Sequence, residues 1–302
     1  MKVRGHRALL MLVAAALAVL VLLAVFPRLE PRSRRLAYAF YITDDTYACS
    51  ALIALHRLIA LDTRPDADIV LLHHPSVSQT ALAALTSAPA PNAIYLHRLP
   101  GTLSSKFLAY YRNGYYIHAL EKLHIFSLTR YDTVVYLDAD GLPLRNMDRL
   151  FDTPAAELSA PQAYWLPHGF TTALMVVRPS RDTYTRLVGR VLASPTGADL
   201  GSTGPRADMD LLNEEFAGTY ARLPRDSFCL NTDWETQMGG EEADGRCAYV
   251  HFSVLLEGGS KPWQVSPGGA AMDKPEAHQG FATMFEEWRT GARDFCLWDW
   301  RK

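Results

Sequence analysis

Thr133-Val134-Val135-Tyr136-Leu137 runs straight into Asp138-Ala139-Asp140. The β-branched, aromatic and aliphatic run predicts a buried strand. Two carboxylates at i and i+2, just past such a strand, can both reach one cation. Oxygen ligands suit hard ions such as Mg²⁺ or Mn²⁺. An ion held there can bridge a diphosphate and neutralise the charge that grows as a leaving group departs. The plainer alternative is a turn in which the aspartates accept backbone N–H bonds. The buried strand ahead of them favours the metal.

The flanks repeat the pattern. Leu36 to Thr43 reads as a buried strand, Asp44 to Tyr47 as a polar turn and Ala48 to Leu61 as a helix. Asp68 to His73 and Asn92 to Leu96 read as further strands, and Tyr116 to Leu128 has helical periodicity. Ala173 to Val177 is another strand, with a helix starting at Pro179-Ser180. Strands alternating with helices predict an α/β, Rossmann-like, mostly parallel central sheet with helices on both faces. Ligands of such sheets sit at the carboxyl ends of the strands, where these acids fall.

Three more stretches carry chemistry. Val250-His251-Phe252 places a histidine between apolar residues, which by itself reads as a core histidine. Gly258-Gly259-Ser260-Lys261-Pro262-Trp263 combines a turn that lets backbone approach a phosphate with a lysine point charge, though a surface turn has the same composition. Asp208-Met209-Asp210-Leu211-Leu212-Asn213 sets paired acids before an apolar pair, a pattern that also caps helices.

Taken in order, these stretches resemble glycosyltransferase family 8, the glycogenin-like enzymes. The match runs through Leu120 to Thr129, Tyr131-Asp132, Val134 to Asp140 and Asn146 to Asp152. It continues with Ala173 to Ser180, with Asp208 to Asn213 against the family's D-Q-D-x-L-N, and with His251-Phe252 and Gly258-x-x-Lys261-Pro262-Trp263 against its H-F-x-G-x-x-K-P-W ending. The Thr-Thr-Ala-Leu-Met-Val-Val stretch is similar to the N-acetylglucosaminyltransferase-like branch. The resemblance implies a GT-A fold and a retaining transferase that moves GlcNAc, glucose or galactose from a UDP-sugar to a glycan, glycoprotein or glycolipid. It implies Asp138, Asp140 and His251 as ligands of Mn²⁺, with Mg²⁺ as the alternative ion. Lys261 and Gly258 would hold the diphosphate beside Asp138, Ala139 and Asp140. Thr43, Asp44 and Tyr47 would line the uridine pocket. Lys122 would contact the donor sugar or its phosphate, and Asp208 and Asp210 would sit at the sugar ring as catalytic residues. A homodimer is among the partners it implies.

Three departures bear on this. Phe170-Thr171-Thr172-Ala173 stands where the family has F-N-S-G. Met209 replaces the family's glutamine, and a thioether can neither donate a hydrogen bond nor serve as a nucleophile there. Four extra residues separate His251 from Gly258. The changed loop motivates the rival expectation of an inactive nucleotide-sugar-binding protein.

Ala8 to Phe26 is an unbroken apolar run. As a helix it would span about 30 Å, the thickness of a bilayer core. Residues 1–7 then form a short cytosolic tail, 8–26 a transmembrane anchor, 27–36 a Pro- and Arg-rich linker and 37–302 the catalytic domain. Lys2, Arg4 and Arg7 precede the run and Arg28, Arg32, Arg34 and Arg35 follow it, so charge does not orient it. A type II Golgi or ER protein with a lumenal domain follows from the implied function. Cys229 and Cys247 could pair in such a lumen; four free thiols is the other reading. The chain is 49% hydrophobic, 21% charged and carries a net charge of −2. That balance describes a globular domain and offers no basic surface for nucleic acid.

Overall fold

The computed structural model describes residues 33–103, 118–154, 156–163, 165–166, 168–193, 207–231, 247–253, 261–264 and 279–299. The apolar Ala8–Phe26 run lies outside them, as does Gly258. No helix among the described residues is long and apolar enough to cross a membrane. Contacts divide the chain into Met1–Arg34 and Arg35–Lys302. The second unit is described here.

It opens with β1 (Leu36–Ile42), α1 (Asp45–Ala60), β2 (Ala67–His73), α2 (Gln79–Thr86) and β3 (Ile94–Arg98). A 3₁₀ helix (Ala119–Ser127) leads to β4 (Thr133–Asp138) and β5 (Gly141–Pro143). A second 3₁₀ turn (Asp148–Asp152), β6 (Leu158–Ala160), β7 (Leu174–Val177), α3 (Arg181–Ala193) and α4 (Asp208–Glu215) follow. The chain continues through β8 (Ala221–Arg222), β9 (Phe228–Leu230), β10 (Tyr249–His251) and α5 (Gln279–Phe295).

Seven strands form the main sheet in the order β3-β2-β1-β4-β7-β6-β8. Every residue of β1 is buried, as a strand covered on both faces requires. Its side chains alternate between two cores. Leu36, Tyr38, Phe40 and Ile42 meet Leu52 and Leu55 of α1 and Leu82 and Leu85 of α2 on one face. Ala37, Ala39 and Tyr41 meet Leu123 and Phe126 of the first 3₁₀ helix, Leu187 of α3 and Leu212 of α4 on the other. Helices therefore cover both faces.

Four of the six pairings in the main sheet are parallel, β6–β8 among them, so the sheet is mostly parallel as expected, with β7 reversed against both its neighbours. β3, β2, β1 and β4 are parallel neighbours, but β7 runs antiparallel to β4 and β6 antiparallel to β7. The sheet is mixed. An apolar run reports how deeply a strand is buried and not which way it runs. No crossover α-helix lies among the described residues between β4 and β7, and an antiparallel return needs none. The predicted helix before β4 is a 3₁₀ segment that begins at Ala119. Leu120 through Phe126 are all buried, Glu121, Lys122 and His124 included, so apolar spacing could not give its period.

A second, three-stranded sheet, β5-β10-β9, and the C-terminal helix α5 were not legible in advance. α5 packs Phe285 and Trp288 against Ile53 of α1 and Val250 and Phe252 by β10, and the Trp288 indole donates to Ser50 Oγ at 2.9 Å. Cys229 and Cys247 are bonded, and a second disulfide, unforeseen, joins Cys49 of α1 to Cys296 just past α5 across 247 residues of sequence. Closing so long a loop restricts the unfolded chain strongly. Replacing Cys49 and Cys296 together by serine is expected to lower unfolding free energy by about 2–5 kcal/mol. Urea unfolding of the double variant beside wild type measures it.

Candidate active site

The strand order reverses at β1. β1, β2 and β3 are laid down outward on one side, and β4 is added on the other. Such a switch point leaves a crevice beyond the carboxyl ends of its two strands. Tyr41 of β1 lies opposite Asp138 of β4, so the Thr43–Tyr47 turn and the Asp138–Asp140 turn leave the sheet side by side.

Asp44 is the N-cap of α1, its carboxylate accepting the N–H groups of Thr46 and Tyr47 at 2.9 and 3.0 Å. Thr43 Oγ1 donates to the same carboxylate at 3.1 Å. Half-buried Tyr47 meets Trp263 edge to face, with centroids 5.3 Å apart. The C-terminal Lys261-Pro262-Trp263 stretch is thereby brought against the first turn of the domain.

Asp138, Asp140 and His251 converge, each offering one ligand atom within 4.8 Å of the others. His251 Nε2 is 3.2 Å from Asp140 Oδ1 and 3.8 Å from Asp138 Oδ2. β10 delivers His251 by pairing it with Gly141. That position demands glycine: an added Cβ would lie 2.2 Å from the Tyr249 hydroxyl. His251 is only partly buried, and its Nε2 faces the two carboxylates. Two carboxylates and an imidazole are a donor set for a hard or borderline divalent cation.

Two lysines hold the remaining oxygens. Lys261 Nζ is 2.5 Å from Asp140 Oδ2 and also donates to the Phe252 carbonyl. Burial alone would raise the Asp140 carboxyl, but Lys261 and His251 outweigh it and hold it well below the usual carboxylate range. Lys122 Nζ bridges Asp138 Oδ1 at 2.9 Å and Asp208 Oδ2 at 2.8 Å. Burial pulls the Lys122 ammonium down, yet Asp138 and Asp208 together push it above the ordinary lysine value. A raised folded-state value adds stability that is complete below the ordinary lysine pKa and fades only as pH climbs past it. Lys122 is thus a fixed cation below about pH 10.

The two acids of α4 separate. Asp208 is buried against Lys122, whereas Asp210 is exposed and accepts the Ala207 N–H at 3.2 Å, closing the helix N-terminus. The structure does not bring Asp210 to the cluster. Ala139 is buried in the core, so only its main chain could face the crevice. Asn213, last residue of the Asp208–Asn213 stretch, exchanges two hydrogen bonds with the Phe170 backbone at 2.8 and 2.9 Å. That pairing ties the 170–172 segment to α4 and sets Thr172 Oγ1 to donate to Asp208 Oδ2 at 2.6 Å.

Tyr136 and Tyr249 join the cluster without having been singled out from sequence, and Thr172 joins it from the Phe170–Ala173 segment, noted there only as a departure. Tyr136 donates to Asp138 Oδ1 at 2.5 Å, and Tyr249 donates to the Asp138 carbonyl. One signal was available for Tyr136. It stands two residues before Asp138 on a strand and so shares its face.

The chain is 29% identical over 213 residues to UDP-glucuronate:xylan alpha-glucuronosyltransferase 2 of Arabidopsis thaliana, a match covering 68% of this chain and 32% of that protein. It is 31% identical over 252 residues to the glycogenin of Cryptococcus neoformans, covering 78% of this chain and 27% of the relative. These relatives are glycogenin-like members of glycosyltransferase family 8. The chain spans about a third or less of the length of these two relatives. No protein-family model matches it. The crystal structure of the galactosyltransferase LgtC with donor and acceptor sugar analogues superposes with a TM-score of 0.60 at 17% identity, covering 86% of this chain and 97% of that one. At that identity the likeness concerns the fold, and the large mixed sheet of this chain matches a GT-A fold.

Proposed function

We propose that this chain is a metal-dependent, retaining glycosyltransferase that moves a sugar from a UDP-sugar to a glycan, glycoprotein or glycolipid. The observation that carries the proposal is the convergence of Asp138, Asp140 and His251 beside two buried lysines at the sheet's switch point. Charge supports the reading. Three carboxylates (Asp138, Asp140, Asp208) against two lysines (Lys122, Lys261) leave −1 with His251 neutral. A divalent cation takes the cluster to +1, the sign that accepts a diphosphate.

In this reading Asp138, Asp140 and His251 hold Mn²⁺ or Mg²⁺. The bound ion would neutralise diphosphate charge. Thr43, Asp44 and Tyr47 line the nucleoside end, and Lys261 stands by the diphosphate with Gly258 as its proposed backbone partner. UDP is the proposed carrier because the xylan enzyme is named for UDP-glucuronate. Lys122 and Asp208 address the sugar. For retention, the acceptor hydroxyl forms its bond to the anomeric carbon on the face from which UDP leaves. The bond between that carbon and the β-phosphate oxygen breaks, and the hydroxyl proton passes to a β-phosphate oxygen. Met209 leaves no role for a nucleophile at its position.

Thr172 stands in the loop that departs from the family, so it enters the proposal as a residue that sets Asp208. Thr172→Val keeps the shape and deletes the hydroxyl. Losing a hydrogen bond to a charged group costs about 1.5–3 kcal/mol, or roughly 10- to 100-fold in kcat. Steady-state kinetics should show that loss with little change in donor KM, and Thr172→Ser should restore most of it.

The Ala8–Phe26 run completes the proposal as a membrane anchor with the domain on the lumenal side, in the Golgi or ER. The two disulfides support an oxidising compartment. UDP titrated calorimetrically with Mn²⁺ and again with chelator tests the site. Tight binding only with the ion supports it. Equal binding in both removes the metal from the account. Binding with Mn²⁺ but no transfer to any pooled-glycan acceptor would favour the nucleotide-sugar-binding reading.

A further inference from the structure

Asp138 could ligate a cation through either oxygen, and something must choose. Tyr136 Oη donates to Oδ1 at 2.5 Å, and Lys122 Nζ sits 2.9 Å from the same oxygen. Lys122 is more distant from Oδ2, at 3.3 Å. Oδ2 is the oxygen turned toward His251 Nε2. Tyr136 is fully buried and comes from the same strand as Asp138. Its phenolic hydroxyl is the donor in the bond to Oδ1. From the other side the Tyr249 hydroxyl pins the Asp138 main-chain carbonyl. Asp138 is therefore held at its side chain by Tyr136 and Lys122 and at its main chain by Tyr249.

We infer that Tyr136 is a positioning residue for the metal site: its hydroxyl occupies Oδ1 and presents Asp138 to the cation through Oδ2 alone. Hydrogen-bonded partners behind a ligand orient it, and their loss commonly weakens a metal 10- to 100-fold. Lys122 cannot replace the hydroxyl, because it also serves Asp208 and lies within reach of both Asp138 oxygens. The inference rests on the metal reading of Asp138, Asp140 and His251.

The test is Mn²⁺ binding to the full chain, followed by the loss of the free-ion electron paramagnetic resonance signal, with and without UDP. Wild type, Tyr136→Phe, Tyr249→Phe and Asp140→Asn are compared. The thermal midpoint of each in chelator, read by circular dichroism, separates lost positioning from lost fold. The expected result is Mn²⁺ binding weakened about 10-fold or more in Tyr136→Phe, with a midpoint no lower than that of Tyr249→Phe, which loses an equally buried hydroxyl but keeps the carboxylate's partners. Tyr249→Phe should weaken Mn²⁺ less. If Asp140→Asn loses Mn²⁺ while Tyr136→Phe binds as wild type does, the positioning role is overturned and the metal site stands. Equal weakening in the two tyrosine variants also overturns it, since a general loosening predicts that result. If wild type and Asp140→Asn bind Mn²⁺ alike, the metal reading itself fails and takes the inference with it.

Discussion

Asp140→Ala is expected to abolish Mn²⁺-dependent turnover, with kcat/KM down by at least about 1,000-fold, or roughly 4 kcal/mol of transition-state stabilisation. The carboxylate has two tasks at once. Oδ1 faces His251 at 3.2 Å and Oδ2 holds Lys261 at 2.5 Å. Lys261 is almost wholly buried, at 1% exposure. Removing Asp140 takes away its counter-charge in a place water does not reach. Breaking a buried pair from one side costs about 3–5 kcal/mol, so the alanine variant should also unfold earlier in urea. Asp140→Ala with Lys261→Met deletes both charges. That double variant should recover much of the stability and none of the activity. Recovery of both would mean that Asp140 serves the fold alone.

Lys122→Met is expected to lower kcat at least about 100-fold. Methionine matches the length of the lysine stem and leaves no ammonium. Asp138 and Asp208 would then face each other in a buried setting without the cation that joins them. The repulsion should cost about 3–5 kcal/mol of stability at neutral pH. It should also disturb the orientation of Asp138 toward the metal. Lys122→Met with Asp208→Asn removes the surplus charge, so stability should return while kcat stays low. Because Lys122 stays charged below about pH 10, the wild-type pH–rate profile should show no limb that the Lys122→Met change removes. A limb lost in that variant would assign Lys122 a proton-transfer role that its two acid partners argue against.

The parts of this site carried by the main sheet could be read from the chain. The composition of β1 and β4 marked them as buried, and the acids at the end of β4 fell at the carboxyl edge of the sheet. His251 and Lys261 could not be assigned from their own surroundings. Isolated, one looked like core and the other like a turn. Their roles were suggested by order along the chain, and their positions depend on β10 pairing with β5 and on Trp263 meeting Tyr47. Such long-range contacts leave no periodic trace. The paired acids of α4 illustrate the same limit. Capping and site chemistry were both open for Asp208-Met209-Asp210; Asp210 closes the helix, while Asp208 pairs with Lys122. Tyr136 escaped notice, and Thr172 stood out only as part of a changed loop, because a hydroxyl on a buried strand or loop looks like ordinary core until its partner is known. The Cys49–Cys296 link was hidden for a related reason: nothing in its spacing differs from that of two unrelated thiols.

The most direct measurement is release of UDP from a panel of UDP-sugars by the full chain, with Mn²⁺ and with chelator, in wild type and Asp140→Ala. One donor should be hydrolysed slowly without any acceptor. That release should need Mn²⁺ and vanish in Asp140→Ala. Release that persists in chelator, or in Asp140→Ala, would contradict the account at its centre.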